Sequence, residues 1–252
     1  MVIDSHVHLK HGDAAGTEYS AAQIVRTMDA ADIARSVVFA MSTTTQRSIE
    51  MAEDAVAQFP DRLIPYVYAL PSYERPVYRE LEEALSDRGF RGIKIHAGEC
   101  SLAAYVIDPV LELAGRYGVP CLIDLLGSLG VAQSLADRFP ETKIILAHLG
   151  HYQCQDAGLI DRFIRIAEGS SNVFLDVSGV VLLDMIKDAV VRVGSSRVIW
   201  GTDGPHKDPD TVTFASKELE KIQILGLTRK AEQDLLGGTV GKLLGLRDPC
   251  AT

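Results

Sequence analysis

The sequence predicts an α/β protein with the (β/α)8 architecture known as the TIM barrel. Three observations support this: the chain has 252 residues, it contains eight short apolar segments, and amphipathic segments lie between them. Strands that alternate with helices pair in parallel through right-handed crossovers, and eight such units in about 250 residues are typical of this barrel. No segment rich in Gly, Ser or Pro divides the chain, so we expect a single domain over residues 1–252.

The predicted strands are short runs rich in Val, Ile, Leu and Phe, a composition typical of buried parallel strands. The eight runs cover residues 2–6, 37–40, 63–69, 92–96, 121–125, 143–148, 173–177 and 198–201. In a parallel barrel, all of these strands end at the same face, where the active sites of such barrels lie.

Helix signals lie between the strands. Ser20 and Gln23 have the spacing of a capping box. Pro109 is predicted at the first position of a second helix, because its missing N–H costs nothing there. Apolar residues at helical spacing predict a third helix after Asp156, namely Ile160, Phe163, Ile164 and Ala167.

Composition and charge indicate a globular protein that acts on a small molecule. Apolar residues make up 47% of the chain, charged residues make up 23%, and the formal net charge is −9. An acidic chain without a basic cluster argues against a nucleic acid or an anionic membrane as the partner. No apolar run has the length of a bilayer span.

Cysteine usage and the first residues predict a cytoplasmic location. The four cysteines, Cys100, Cys121, Cys154 and Cys250, show neither zinc-finger spacing nor a C-x-x-C motif. Scattered thiols fit a reducing compartment. The chain does not open with a positive region followed by an apolar stretch, so no signal peptide is expected.

Ionisable residues stand at the ends of six predicted strands, which is unusual for positions that a barrel buries. They are His6 and His8, Lys94 and His96, Asp124, His148, Asp176 and Asp203. Such residues are rarely buried unless they are paired or bind a metal. His6 and His8 lie two apart and therefore point to the same face of their strand. The set predicts a metal-centred site at the barrel mouth.

A family resemblance rests on five segments spread over the chain. They are IDSHVH at 3–8, GIKIHAG at 92–98, ILAHLG at 145–150, LDVSG at 175–179 and IWGTDGP at 199–205. In this order they resemble the amidohydrolase superfamily and, within it, the amidohydrolase-2 group, which includes aminocarboxymuconate-semialdehyde decarboxylase-like enzymes. Residues 234–246 resemble the closing helix of that group. The resemblance implies a barrel of the metal-dependent hydrolase type.

The resemblance also implies a role for each matching residue. His6 and His8 match metal ligands. Asp203 matches a residue that binds the metal and takes a proton from the attacking water. His148 matches a further ligand or a group that polarises the substrate, which makes Asp203 and His148 the expected catalytic pair. Lys94 and His96 match a fourth-strand segment, and His96 is a further candidate ligand. A divalent ion is implied, with zinc favoured and manganese or magnesium as alternatives.

Asp124 is a departure from the pattern of that group. The group usually has a histidine ligand at the end of the fifth strand, where this chain has VPCLID. Asp124 could itself bind the ion, since carboxylate oxygens bind zinc at distances similar to imidazole nitrogens. It could instead orient a ring N–H of His6 or His8, with His96 completing the ligand set. The third alternative is a site that has lost strong metal binding.

These observations predict a metal-dependent hydrolase of a small amide, lactone or ester. An alternative with the same ligands is a non-oxidative decarboxylase of a small carboxylated substrate. A second alternative, suggested by Asp124, is a barrel that binds metal weakly and has no catalytic activity. The expected partner is a small-molecule substrate, and the resemblance implies a homodimer.

Overall fold

The structure is a computed structural model that describes residues 1–246, so the single domain over residues 1–252 stays a prediction. Within these residues nine parallel strands form: β1 Ile3–Lys10, β2 Arg35–Ala40, β3 Leu63–Pro65, β4 Val67–Tyr68, β5 Ile93–His96, β6 Cys121–Asp124, β7 Ile144–Leu146, β8 Val173–Asp176 and β9 Val198–Ile199. They correspond to the eight predicted strands, with the third divided into β3 and β4. The sixth predicted strand is shorter than expected and ends at Leu146.

The strands close into a ring. One sheet has the order β1-β2-β3 and the other runs from β4 to β9. Only Tyr66 separates β3 from β4, and its N–H donates to the carbonyl of Val38 at 3.0 Å. At the other seam, Val7 pairs in parallel with Gly204, and the N–H of His8 donates to the carbonyl of Gly204 at 2.7 Å. The predicted α/β barrel is therefore confirmed.

Helices follow most strands and cover the outside of the ring. They are α1 Ala21–Ala30, α2 Thr45–Gln58, α3 Tyr78–Ser86, α4 Ala104–Tyr117, α5 Leu129–Arg138, α6 Ala157–Gly169, α7 Leu183–Val193, α8 Thr211–Gln223, α9 Arg229–Gln233 and α10 Thr239–Leu243. The predicted capping box of Ser20 and Gln23 begins α1, and Asp156 caps α6. Of the helices described, none has the length and apolar character needed to cross a membrane.

The predicted start of the second helix at Pro109 was wrong. Pro109 lies inside α4, which begins five residues earlier at Ala104. Proline in a helix interior removes one backbone hydrogen bond. Val106 and Ile107 lie before the proline and are almost fully buried, and the burial of their apolar surface offsets that loss. Tertiary packing therefore sets this boundary.

The barrel interior is filled with apolar side chains below the mouth. Along β2, Val37 and Phe39 point inward and pack with Tyr66 and Tyr68. Val38 and Ala40 alternate with them and face the helices. This period of two is the expected result of strand geometry. The interior is thus a packed floor, and the polar residues lie above it.

A tight turn after β7 carries His148 above this floor. The turn spans Ala147–Gly150, and Gly150 has a φ of 102°. A Cβ on Gly150 would lie 2.2 Å from the ring of Phe163 in α6. Both the backbone conformation and the close approach therefore require glycine here.

Replacing Gly150 should destabilise the protein. We expect Gly150→Ala to lower the free energy of unfolding by about 3 kcal/mol, because it adds both backbone strain and a clash. Denaturant titration would measure this loss. Gly130→Ala in α5 is the matched control, since no atom lies within 4 Å of a Cβ placed there. Equal stability of Gly150→Ala and the unmodified protein would contradict the role given to this turn.

Candidate metal centre

Three side chains from the two ends of the chain meet at the barrel mouth. His6 and His8 project from one face of β1, and Asp203 follows β9, which borders β1 in the closed ring. Asp203 Oδ1 lies 3.0 Å from His6 Nε2 and 2.9 Å from His8 Nε2. The three residues form a compact group of nitrogen and oxygen donors.

The barrel seam sets the position of Asp203. The buried carboxylate of Asp4 in β1 accepts hydrogen bonds from Thr202 N at 2.9 Å and from Thr202 Oγ1 at 2.7 Å. Asp203 follows directly in a left-handed conformation with a φ of 59°, which aspartate adopts more readily than most residues. Anchoring Thr202 therefore fixes the start of the turn that directs Asp203 toward the histidines.

A second carboxylate orients the ring of His6. Asp176 ends β8 and is fully buried, and its Oδ2 lies 3.3 Å from His6 Nδ1. Burial, together with the nearby ammonium of Lys94, lowers the pKa of His6 to about 4. The ring is therefore neutral at pH 7. It donates its Nδ1 hydrogen to Asp176 and keeps a lone pair on Nε2.

This arrangement fits a bound cation. Burial alone would raise the pKa of Asp203, but the nearby charge of His148 holds it well below its usual range. An ionised oxygen and a nitrogen lone pair 3.0 Å apart repel each other unless a cation joins them. Lys94 Nζ, 3.2 Å from His6 Nε2, supplies one positive charge there. A divalent ion also suits these donors, because two histidines and one carboxylate are the ligands of known catalytic zinc sites.

His148 lies beside the compact group and not on a strand. Its Nδ1 lies 2.8 Å from the carbonyl oxygen of Ser178, so this nitrogen carries a hydrogen and donates it. Burial disfavours the charged ring, but nearby carboxylates outweigh burial and raise the pKa of His148 to about 9; they are Asp203, Asp176 and Asp124. His148 is therefore a cation at neutral pH.

His96 and Asp124 lie side by side on β5 and β6, apart from the compact group. Asp124 Oδ2 lies 3.4 Å from His96 Nε2 and 3.5 Å from His148 Nε2. Its Oδ1 accepts a hydrogen bond from Leu126 N at 2.9 Å. Neither His96 nor Asp124 belongs to a group of three clustered metal donors within residues 1–246.

One of the roles expected of Asp124 is not found. Asp176 contacts His6 Nδ1, and Asp203 contacts Nε2 of both His6 and His8. Asp124 was expected to orient the ring of His6 or His8, but for His6 the residue in this role is Asp176. The reason is topological, because only β9 separates β8 from β1 in the ring, whereas Asp124 on β6 faces His148.

All six predicted metal or catalytic residues line one cavity of about 240 Å³, namely His6, His8, His96, Asp124, His148 and Asp203. Lys94 also lines it, although its side chain is almost fully buried. Burial lowers the pKa of Lys94, and the carboxylates of Asp124 and Asp203 oppose that shift. A cavity of this size and polarity suits a small molecule.

Sequence reasoning assigned no role to Ser178, which links two of the histidines. Ser178 Oγ lies 3.2 Å from His6 Nδ1 and 3.1 Å from His148 Nδ1, and it donates to Asp176 Oδ2 at 2.5 Å. Asp176 in turn accepts a hydrogen bond from the backbone N–H of His148 at 3.2 Å. The available signal was the Asp-x-Ser spacing in LDVSG, which follows the seventh predicted strand.

Comparison with known proteins establishes the family. The family model described as Amidohydrolase matches residues 3–246. The chain belongs to the amidohydrolase family. It is therefore an enzyme of that family, as the five sequence segments predicted. A search of curated proteins found no match to this amidohydrolase.

Solved structures with the same fold cover nearly the whole amidohydrolase chain. An amidohydrolase from Burkholderia multivorans with bound zinc has a TM-score of 0.79 at 14% identity, covering 98% of this chain and 100% of that one. The 5-carboxyvanillate decarboxylase of Sphingomonas paucimobilis has a TM-score of 0.73 at 14% identity, covering 98% and 99%. A protein described as a probable 2-pyrone-4,6-dicarboxylic acid hydrolase of Acinetobacter baumannii has a TM-score of 0.72 at 15% identity, covering 97% and 99%. At these identities the likeness establishes the fold.

Removing the Asp176 carboxylate should weaken metal binding. We expect Asp176→Asn to raise the zinc dissociation constant about 10–100-fold, because the partner that holds the His6 tautomer is lost. Competition with a chromophoric chelator would measure the constant.

Asp137→Asn is the matched control, because Asp137 is exposed on α5 far from the barrel mouth. Ser178→Ala serves as a second variant, with a smaller expected effect because the carboxylate remains. Zinc affinity unchanged in folded Asp176→Asn would contradict the orienting role.

Proposed function

We propose that the protein is a metal-dependent hydrolase of a small amide, lactone or ester. The observation that carries the proposal is that Nε2 of His6 and Nε2 of His8 both lie within 3.0 Å of Asp203 Oδ1. This group lies on the wall of a cavity with room for a small substrate. Family membership supports hydrolytic chemistry at this site.

Zinc is the ion that we propose, held by His6, His8 and Asp203. Nitrogen and oxygen donors of this kind bind zinc, and manganese or magnesium would be favoured by added oxygen ligands such as Asp124. The amidohydrolase of Burkholderia multivorans carries bound zinc. When bound, such an ion lowers the pKa of water and polarises a carbonyl oxygen.

The side chains of the chain itself supply the proton transfers. Asp203 is ionised, so it can accept the proton of the attacking water and pass it to the leaving group. His148 is protonated at neutral pH and can donate a hydrogen bond to the oxygen on which negative charge develops. Asp176 holds the tautomer of the neutral His6, and Ser178 contacts Nδ1 of His148 and helps to orient that ring.

A decarboxylase is the second candidate. Similar structures include the 5-carboxyvanillate decarboxylase of Sphingomonas paucimobilis and a 2,6-dihydroxybenzoate decarboxylase from Rhizobium. In this reaction the protonated His148 would deliver the proton to the carbon that loses CO₂. Membership of this enzyme family argues against the barrel without catalytic activity, which is therefore not proposed.

The partner and the compartment stay predictions from the sequence. A small-molecule substrate is in keeping with the cavity, and the homodimer rests on the resemblance alone. Cys100, Cys121 and Cys154 are free thiols, which fits the reducing cytoplasm. Cys250 lies outside the described residues.

Asp203→Asn should abolish most of the hydrolytic activity. At saturating zinc, we expect kcat to fall by about 10²–10⁴-fold, because an amide cannot accept the proton. A pH-stat assay of the zinc-loaded protein on lactones, esters and amides would measure the rate. Asp137→Asn is the control with the same change of side chain and should keep full activity.

The same preparation separates the two candidate functions. CO₂ release from aromatic acids without hydrolysis would overturn the hydrolase proposal in favour of the decarboxylase. Zinc bound at about one ion per chain with neither reaction, over the whole panel, would contradict both candidates.

A further inference from the structure

A carboxylate outside the metal centre is held at the cavity wall by neighbouring loops. Glu99 follows β5 and lines the cavity. Its Oε2 accepts hydrogen bonds from Ser42 N at 3.1 Å and from the hydroxyl of Tyr68, and its Oε1 accepts one from the hydroxyl of Ser42. Ser42 follows β2 and Tyr68 ends β4, so three successive parts of the barrel mouth fix this one side chain.

The carboxylate of Glu99 accepts hydrogen bonds from neutral donors, and the nearby His96 also favours its charged form. No lysine or arginine forms an ion pair with it anywhere in residues 1–246. Burial opposes its ionisation, but the hydrogen bonds from Ser42 and Tyr68 outweigh burial and lower the pKa of Glu99. The buried ammonium of Lys94 lies against His6 Nε2 instead. Glu99 therefore places a negative charge on the cavity wall without a lysine or arginine paired to it among the described residues.

One acceptor position of Glu99 remains available to a ligand. A carboxylate has about four lone-pair sites, and the three hydrogen bonds use one on Oε1 and two on Oε2. The site that remains is on Oε1. Gly12 in the loop after β1 lies so close that its Cβ would be 3.2 Å from Oε1, and Gly12 also lines the cavity. Oε1 thus lies between the loops after β1 and β5, beside the cavity that Gly12 and Glu99 both line.

We propose that Glu99 is a specificity-determining residue that selects substrates whose remote end is a cation or a hydrogen-bond donor and disfavours a second carboxylate. The geometry supports this because the same cavity contains the metal centre and the fixed carboxylate. Tyr68 and Ser42 are positioning residues that hold Glu99 in place. The inference rests on the proposed metal-dependent function and names its substrate class.

Ligands that anchor on the metal can test this without a known substrate. The probes are three hydroxamic acids with the same short alkyl chain, ending in an ammonium, a hydroxyl or a carboxylate. Calorimetry on the zinc-loaded protein gives their dissociation constants. We expect the ammonium probe to bind at least about tenfold more tightly than the carboxylate probe, since a partly buried charge interacts strongly with an added one. The hydroxyl probe should fall between them.

Variants assign the preference to Glu99. Glu99→Gln should remove most of the difference between the ammonium and carboxylate probes, while bound zinc stays unchanged. Tyr68→Phe keeps the carboxylate but removes one of the hydrogen bonds that position it, so it should reduce the difference between the ammonium and carboxylate probes without reversing their order. Glu18→Gln, an exposed residue paired with Lys10 outside the cavity, makes the same change of net charge and should have no effect.

The outcomes separate this inference from the proposed function. Equal binding of the three probes, or tighter binding of the carboxylate probe, would overturn the role of Glu99 and leave the metal centre intact. This wild-type comparison holds even if Glu99→Gln does not fold. A protein that retains no zinc and binds none of the probes would overturn the proposed function, and this inference with it.

Discussion

The candidate site depends on one interaction, the closure of the barrel between its first strand and its last. Val7 pairs with Gly204, the N–H of His8 donates to the Gly204 carbonyl, and Asp4 holds Thr202. These contacts join residues that lie almost 200 positions apart. Because they flank Asp203 on both sides, the carboxylate has little freedom to turn away from the histidines of β1. The ligand geometry is thus a consequence of the seam.

Closure also concentrates charge in a place that water scarcely reaches. Asp124, Asp176 and Asp203 lie around His148, with Lys94 and the protonated His148 as the positive charges. Buried charges are costly unless they are paired, and here the carboxylates are in excess. A bound cation would correct this imbalance. Glu99 adds a further carboxylate on the cavity wall, where hydroxyl and amide donors and the nearby His96 stabilise it.

The features that follow local rules could be predicted from the sequence. Strand periodicity placed His6 and His8 on one face, and the strand ends located Asp203 and His148 at the mouth. The features that depend on neighbours distant in sequence could not. The start of α4 at Ala104 is set by burial of the residues before Pro109. The pairing of Asp124 with His96 and His148, and the link that Ser178 makes between two rings, depend on how β6 and β8 align with β1.

Anomalous diffraction from zinc-loaded crystals tests the central claim most directly, because it locates the ion without reference to activity. The account predicts one strong peak with contacts of about 2.0–2.2 Å to Nε2 of His6, Nε2 of His8 and the carboxylate of Asp203. A peak coordinated instead by His96 and Asp124, or a cavity with no peak at saturating zinc, would contradict it.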